Sequence, residues 1–155
     1  MVDLSIFGVS NGEGKHHEEI IYSLALIYNI ISDKTEHYLK NYDLSLGKMN
    51  ILIAVKHHGG KEGIRQVEIS KHLIVTPSNM TKMIDKLEEG RLVERLALKG
   101  DRRVNIVRIT KKGSDLLDSL WGGYNETLKG FLAGLGKERQ KQLSGLLVDW
   151  FEKLQ

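Results

Sequence analysis

The fold is decided by one stretch of sequence, residues 75–113, which reads VTPSNMTKMIDKLEEGRLVERLALKGDRRVNIVRITKKG. Its first part predicts a helix, because the Thr76 hydroxyl can cap a helix start and Pro77 suits the first helical position. An apolar stripe with helical spacing follows, and Gly90 ends the helix. The stripe consists of Met80, Met83, Ile84 and Leu87. We therefore expect a capped, amphipathic helix.

The second part of the stretch predicts a β-hairpin. Residues 92–98 alternate apolar with polar side chains, as a half-buried strand does, and residues 104–109 are rich in β-branched side chains. Residues 99–103 contain Gly100 and are predicted to form the turn between the strands. Thr110 then caps the start of another helix.

Further helices are predicted on both sides of this stretch. Upstream, helical spacing of apolar residues indicates a long first helix, a largely buried second helix over residues 46–55 and a short third helix over residues 67–73. Downstream, an apolar face runs from Leu116 to Leu135, and a last helix carries Leu143 to Leu154. The stripe of the first helix is Ile20, Leu24, Ile27, Tyr28, Ile31, Tyr38 and Leu39.

This order of elements predicts a mainly α-helical fold with a small β-hairpin wing, namely a winged helix-turn-helix with long N- and C-terminal dimerisation helices. We expect a single module over residues 1–155. It has N-terminal helices at 16–58, a DNA-binding lobe at 62–112 and C-terminal dimerisation helices at 113–155. The terminal helices carry more apolar surface than one small core can cover, so the simplest partner is a second copy of the chain.

Composition narrows the class of protein. Hydrophobic residues make up 41% of the chain and charged residues 28%, which is ordinary globular usage, and the absence of cysteine excludes disulfides and thiolate metal sites. No apolar run approaches the roughly 20 residues that span a bilayer, so we expect a cytoplasmic protein without membrane contact. Residues 61–112 carry 13 Lys or Arg against 7 Asp or Glu, while the remainder is net acidic. A basic middle is the pattern of a phosphate-binding surface.

The capped helix presents a polar face that suits a DNA major groove. At 100° per residue, its apolar stripe leaves Ser78, Lys82, Asp85 and Glu89 on the opposite side, flanked by Asn79 and Lys86. Short polar side chains near a recognition-helix start approach base edges, whereas Lys86 is better placed for a phosphate. Our recognition-helix candidates are Thr76, Ser78, Asn79, Thr81, Lys82 and Lys86. Because any soluble helix has a polar face, this pattern alone does not indicate DNA binding. The hairpin beside the helix is the feature that favours DNA binding over an ordinary solvated surface.

The hairpin turn supplies a second set of candidate DNA contacts. Lys99, Arg102 and Arg103 can project a cation into a narrow minor groove, where the negative potential is strongest. Asp101 would repel phosphates, so we interpret it as orienting Arg103 through a charge-assisted hydrogen bond. The alternative is an ordinary solvated hairpin tip. Nearby cations such as Arg95 and Arg108 could contact the DNA backbone, but a single cation is more often an ordinary surface charge.

Beyond these physical patterns, the stretch resembles the multiple-antibiotic-resistance regulator (MarR) family of bacteria and archaea. The stretch matches the family's recognition helix. It also matches the family's wing, in which Asp-x-Arg is followed at the right spacing by an aliphatic residue, Thr and Gly. The flanking helices extend the resemblance over nearly the whole chain. The matching residues are Ser78, Thr81, Ile84, Asp85, Leu87, Glu88 and Gly90 in the helix and Asp101, Arg103, Ile109, Thr110 and Gly113 in the wing.

The resemblance implies a homodimeric, ligand-responsive repressor that binds a pseudo-palindromic double-stranded operator. It also implies a crevice between the dimer arms and the DNA-binding lobe for an unidentified small-molecule effector. Tyr38, Tyr42 and Trp121 could supply its aromatic lining, although aromatic residues at helical spacing usually belong to the core.

Two other classes of function have weaker support. A winged helix can serve as a protein-interaction module without binding DNA, but such a module would present an apolar or acidic face where this chain has Lys82 and Lys86. An enzyme is not expected, because no catalytic constellation or phosphate loop stands out. The adjacent pairs His16-His17 and His57-His58 do not share a helix face, so we expect surface histidines, no metal site and no resident cofactor. Zinc binding is the minority alternative, because a few members of the resembled family sense zinc.

Overall fold

The predicted fold class is confirmed. A computed structural model describes residues 4–8, 16–73, 78–98 and 101–155, with the side chains of residues 97, 98 and 101–104 outside the description. A short 3-10 turn at Leu4–Phe7 precedes a mainly α-helical chain with one antiparallel sheet. The helices are α1 (His16–Leu39), α2 (Leu46–Gly59), α3 (Gln66–Ile69), α4 (Met80–Glu89), α5 (Lys111–Phe131) and α6 (Lys137–Lys153), and the strands are β1 (Ile64–Arg65), β2 (Val93–Leu98) and β3 (Asp101–Ile109).

The first two helices form where the apolar pattern predicts them. Helix α2 begins at the Ser45 N-cap, whose Oγ accepts a hydrogen bond from Lys48 N at 3.2 Å. Glu36 of α1 adds a second cap, since its Oε1 accepts from Leu46 N at 2.8 Å. Each bond satisfies a backbone donor that a helix start leaves unpaired. Six of the 14 residues of α2 are buried and only two are exposed, as its largely apolar sequence indicates.

Helix α4 begins later than the sequence predicts. Asn79 is its N-cap and Met80 its first residue, and the first helical hydrogen bond runs from Met83 N to Asn79 O at 3.1 Å. The predicted start at Pro77 is therefore wrong for α4, and Thr76 and Pro77 themselves lie outside the described residues. A cap signal marks where a helix can begin, but tertiary packing decides among nearby starts.

The wing contains one more strand than the sequence predicts. The strand order is β1-β3-β2, with Ile64 opposite Val107 and Val93 opposite Ile109, and both pairings are antiparallel. β1 is two residues long, too short for a period-two pattern to show. The predicted turn at residues 99–103 is too long, because Leu98 pairs with Asp101 and leaves only two residues between the strands. The pairing shifts register between Ala97, which lies opposite Asn105, and Leu98.

Helix α5 is capped as predicted but is shorter than its apolar face suggests. The Thr110 Oγ1 accepts a hydrogen bond from Gly113 N at 3.0 Å. The helix ends at Phe131, so the expected continuation through Leu132 to Leu135 is wrong, and these residues form the connection to α6. Gly130, Gly134 and Gly136 surround that connection, and glycine weakens a helix by about 1 kcal/mol relative to alanine.

One core joins the terminal helices to the winged lobe. Leu39 of α1, Leu52 of α2, Ile84 of α4, Val107 of β3 and Leu120 of α5 are all fully buried in it. α6 contributes no buried residue. The core therefore fixes α4 and the sheet against α1, α2 and α5, while the proposed division of the chain at residues 58, 62 and 113 stays a prediction.

Two helices expose large apolar side chains in the single chain. α1 exposes Ile20, Ile21, Tyr22, Ile27, Tyr28 and Ile30, and the end of the chain exposes Leu143, Leu146, Leu147, Val148, Phe151 and Leu154. The side chain of Leu146 is 69% exposed and that of Phe151 is 61% exposed, which is much more than is usual for large apolar residues at the edge of a core. Across the described segments, no helix combines the length and apolar character needed to cross a membrane.

Candidate nucleic-acid interface

The face of α4 opposite the core carries the predicted polar residues. Ile84 and Leu87 are buried and Met80 and Met83 pack against the core, which leaves the other side of the helix exposed. Ser78 lies in the turn before α4 and Asn79 at its N-cap, so neither is helical as predicted, while Thr81, Lys82 and Lys86 are exposed on the helix itself. Thr76 lies outside the described residues.

Thr81 has a structural contact in addition to its exposure. Its Oγ1 accepts a hydrogen bond from Gln66 Nε2 of α3 at 3.1 Å. This bond joins the two helices of the helix-turn-helix on their exposed side. Thr81 therefore helps to fix the position of α4 whether or not it also contacts a base.

The wing contacts stay predictions. The backbone of Asp101, Arg102 and Arg103 belongs to β3, but their side chains lie outside the description, as does Lys99 entirely. The proposed hydrogen bond between Asp101 and Arg103 is thus untested by the geometry.

Arg95 has a role that sequence reasoning missed. Its guanidinium donates hydrogen bonds to the carboxylates of Asp85 and Glu88, and its backbone N donates to Glu88 Oε1 at 3.0 Å. The side chain is 22% exposed. Burial alone would lower the pKa of Arg95, but the hydrogen bonds and negative charges of Asp85 and Glu88 outweigh it, so the pKa is raised. Arg95 therefore clamps β2 of the wing to α4.

This clamp also revises the interpretation of Asp85. The helical wheel places Asp85 on the exposed side, where a carboxylate would repel phosphates, whereas its actual partner is Arg95, ten residues further on. The sequence signal was available in principle, since the two acids are three residues apart on one helix edge and a cation follows on the next strand.

The cations of the wing base also have partners within the chain. Arg108 Nε donates to Glu94 Oε1 at 2.9 Å across the β2–β3 pair, and Lys112 Nζ donates to Gly90 O at 2.9 Å. Lys82 and Lys86 differ, because neither forms an ion pair with a carboxylate in the described part of the chain. Their ammonium groups remain available for a ligand.

Sequence and structure comparisons place the chain among known proteins. Residues 44–104 match the model of the family described as MarR. The chain is 24% identical over 128 residues to the HTH-type transcriptional regulator PecS of Dickeya dadantii, covering 83% of this chain and 77% of the relative. It is 28% identical over 134 residues to the HTH-type transcriptional repressor IacR of Pseudomonas putida, covering 86% and 78%.

The chain is therefore similar to MarR-family regulators. Solved MarR-like structures share its fold. One is a putative MarR-like transcription regulator from Bacillus cereus, with a TM-score of 0.83 and 22% identity over 92% of this chain and all of that one. Another is the complex of Staphylococcus aureus MepR with DNA, with a TM-score of 0.73 and 20% identity over 85% of this chain and 96% of that one.

Among the described residues, the three aromatic side chains predicted for an effector crevice take up different positions. Tyr38 OH donates to Leu120 O at 2.8 Å and lies 3.1 Å from Tyr42 OH, so these two rings belong to a helix-packing contact. Burial, followed by the neighbouring Tyr42, raises the pKa of Tyr38 to about 12. Trp121 lines a separate cavity of about 350 Å³ together with Ile53 and Lys56.

A different cleft lies between α1, α2, α4 and α5, and sequence reasoning did not identify it. It has a volume of about 400 Å³, and its lining residues are Tyr28, Ile31, Ser32, Thr35, Glu36, Leu46, Gly47, Asn50, Met83 and Tyr124. Within the described part of the chain, the buried Ser32 Oγ and Thr35 Oγ1 have no hydrogen-bond partner. Two unpaired hydroxyls in an apolar setting are the polar groups that a bound ligand can satisfy.

The histidines do not assemble into a metal site among the described residues. His58 and His72 instead stack, with ring centroids 3.6 Å apart and planes 12° from parallel.

Proposed function

We propose that this protein is a sequence-specific DNA-binding transcriptional regulator that acts as a homodimer on a pseudo-palindromic operator. The observation that carries the proposal is the face of α4, where Lys82 and Lys86 are exposed and unpaired beside an antiparallel wing. An exposed basic helix followed by a hairpin is the arrangement that docks in a major groove. Two relatives are named transcriptional repressors, IacR and MdtR, which supports repression as the mode of action.

Dimerisation is supported by the uncovered apolar surface at both ends of the chain. Ile20 and Ile27 of α1 and Leu146 and Phe151 of α6 are exposed although their chemistry favours burial. A second copy covers these helices and sets two recognition helices at the spacing of successive major grooves. Sedimentation at micromolar concentration should report twice the mass of one chain. The partner is then double-stranded DNA, the site of action is the cytoplasm, and no resident cofactor or catalytic step is involved.

Response to a small molecule is supported by the cleft between α1, α2, α4 and α5. Met83 of α4 lines this cleft, so a ligand there would touch the recognition helix directly. A ligand that fits only one position of α4 shifts the population toward that position and changes the affinity for DNA. This cleft replaces Tyr38, Tyr42 and Trp121 as our candidate effector site.

The experiment that tests the function is a selection of bound duplexes from a random pool with the full chain. We expect enrichment of an inverted repeat whose half-sites lie about one helical turn apart. Lys82→Ala should then cost about 1–3 kcal/mol on the operator and much less on random DNA, if Lys82 contacts a base edge. Lys129→Ala is the matched control, because Lys129 is exposed on α5 and paired with Glu126.

The wing is tested in the same titrations. Arg103→Ala should lower affinity and reduce the salt slope by about one unit, and Asp101→Ala should weaken binding if Asp101 holds Arg103 in place. A pool that shows no enriched sequence and no salt-dependent binding would overturn the function, and capture of a protein partner through α4 would then support the interaction-module alternative.

A further inference from the structure

A second cleft on the molecule is lined by lysines from three separate segments. It has a volume of about 420 Å³ and lies between the α1–α2 connection and α4. Its lining residues are Glu36, Lys40, Asp43, Leu44, Ser45, Lys48, Asn79, Lys82, Met83 and Lys86. We call it the lysine cleft. Four of these side chains are cationic and two are anionic, so the cleft is net positive.

The lysines of the cleft form no ion pair with a carboxylate, whereas four of the lysines elsewhere in the described segments do. Within the described residues, Lys56, Lys71, Lys111 and Lys129 each contact a carboxylate at 2.6 to 2.8 Å. Lys40, Lys82 and Lys86 form no such pair, and the Lys48 ammonium donates only to the backbone carbonyl of Asp43 at 3.1 Å.

The nearby carboxylates of Glu36 and Asp43 offset only half of the positive charge of the four lysines. Glu36 is engaged as the cap of α2, where its Oε1 accepts from Leu46 N at 2.8 Å. Four ammonium groups facing one cavity repel each other, and an anion with several oxygens relieves that repulsion by accepting hydrogen bonds from more than one of them.

The position of the lysine cleft indicates where the anion comes from. Asn79, Lys82 and Lys86 lie three and four residues apart, so they form one edge of α4, and this edge belongs to the face proposed to enter the major groove. A major groove is bounded on each side by a phosphate backbone. The cleft wall formed by Lys40 and Lys48 thus faces the space beside the helix where a backbone runs.

Resting on the proposed function, we propose that the lysine cleft holds a phosphate of the operator backbone, with Lys40 and Lys48 as DNA contacts outside the winged lobe. These two residues precede the basic segment of residues 61–112, and charge counting along the sequence does not find them. Phosphate contacts of this kind fix the register of the recognition helix and do not select sequence.

The test uses Lys40→Ala and Lys48→Gln in the full chain, titrated onto operator and random duplexes at several salt concentrations. Each variant removes one phosphate contact from each protomer, so it should reduce the slope of log affinity against log salt by roughly 1.8 for the dimer. A fourfold rise in salt would then weaken the wild type about 12-fold more than the variant. The ratio of operator to random affinity should stay unchanged. Lys129→Ala removes the same charge elsewhere and should keep the wild-type slope.

Thermal unfolding of each variant shows whether folding is intact, and Lys40→Ala is the safer variant because Lys40 is exposed and its side chain forms no hydrogen bond or ion pair in the described structure. If wild type binds DNA and Lys40→Ala and Lys48→Gln keep its slope, this inference is wrong and the proposed function stands. If inorganic phosphate binds the wild-type chain by calorimetry, loses that binding in Lys40→Ala, and the DNA slopes are equal, the cleft serves a small phosphorylated ligand instead. If the wild type binds no DNA, both proposals are overturned.

Discussion

Gly113 is the position where one added methyl group should damage the fold most. It is the third residue of α5 and is buried where the helix start meets the base of the wing. A Cβ there would lie 2.1 Å from Leu92 O and 3.0 Å from Ile109 Cγ1. Since the nearest ordinary contacts between carbon and a carbonyl oxygen are about 3.3 Å, Gly113→Ala must separate the helix from the wing base by about 1.2 Å.

That displacement acts on hydrogen bonds that share the same carbonyl. Leu92 O accepts from Thr110 N at 3.0 Å and from Thr110 Oγ1 at 3.1 Å. Losing both costs about 2 kcal/mol, and the overpacking itself costs about 1–3 kcal/mol. Alanine returns about 1 kcal/mol through its helix propensity. The free energy of unfolding should therefore fall by about 2–4 kcal/mol, a large part of the 5–15 kcal/mol typical of a domain.

The assay is urea unfolding followed by circular dichroism, with Gly122→Ala as the matched control. Gly122 lies on the same helix, and a Cβ there would meet nothing within 4 Å, so this substitution should stabilise the protein by roughly 0.5–1 kcal/mol. If Gly113→Ala lowers the free energy of unfolding and Gly122→Ala raises it, the close approach of Gly113 to Leu92 is the cause of the difference. A Gly113→Ala protein as stable as the wild type would refute the reasoning.

Three further results are expected. Arg95→Ala should weaken binding to operator and random DNA alike by tenfold or more in anisotropy titrations. The reason is that β2 of the wing loses its ion pairs to α4, and the carboxylates of Asp85 and Glu88 are left unpaired near phosphates. An unchanged affinity would contradict this role of Arg95. Because the pKa of Tyr38 is raised, its contribution to the free energy of unfolding is complete below pH 10 and is lost as the pH rises toward about 12. Tyr38→Phe should therefore lose less stability than the wild type over that pH range in alkaline unfolding. An identical loss in both proteins would exclude Tyr38 as the cause. Thr35→Val should raise the free energy of unfolding by about 1 kcal/mol, because it removes a buried hydroxyl without a partner, whereas Thr127→Val, which removes a hydroxyl bonded to Gly123 O, should not.

Local sequence patterns were sufficient to predict the order and type of the main elements. Helical spacing in α1, α2, α4 and α5 and strand alternation in β2 are properties of neighbouring residues, and they appear wherever one side of an element faces a core. The Thr110 cap was predicted for the same reason, since its partner Gly113 N is only three residues away. Motif spacing also indicated the resemblance to MarR-family regulators before any contact was known.

Which side chains meet depends on the tertiary packing of the elements. Strand β1 is defined by its pairing with Val107 of β3, and Arg95 is a clamp because a strand folds back onto α4. The cleft with Ser32 and Thr35 and the lysine cleft with Lys40 and Lys48 each draw residues from three or more segments of the chain. Periodicity reports which face of an element is buried, but not what lies opposite that face, because the opposing residues are brought there by the packing of distant elements.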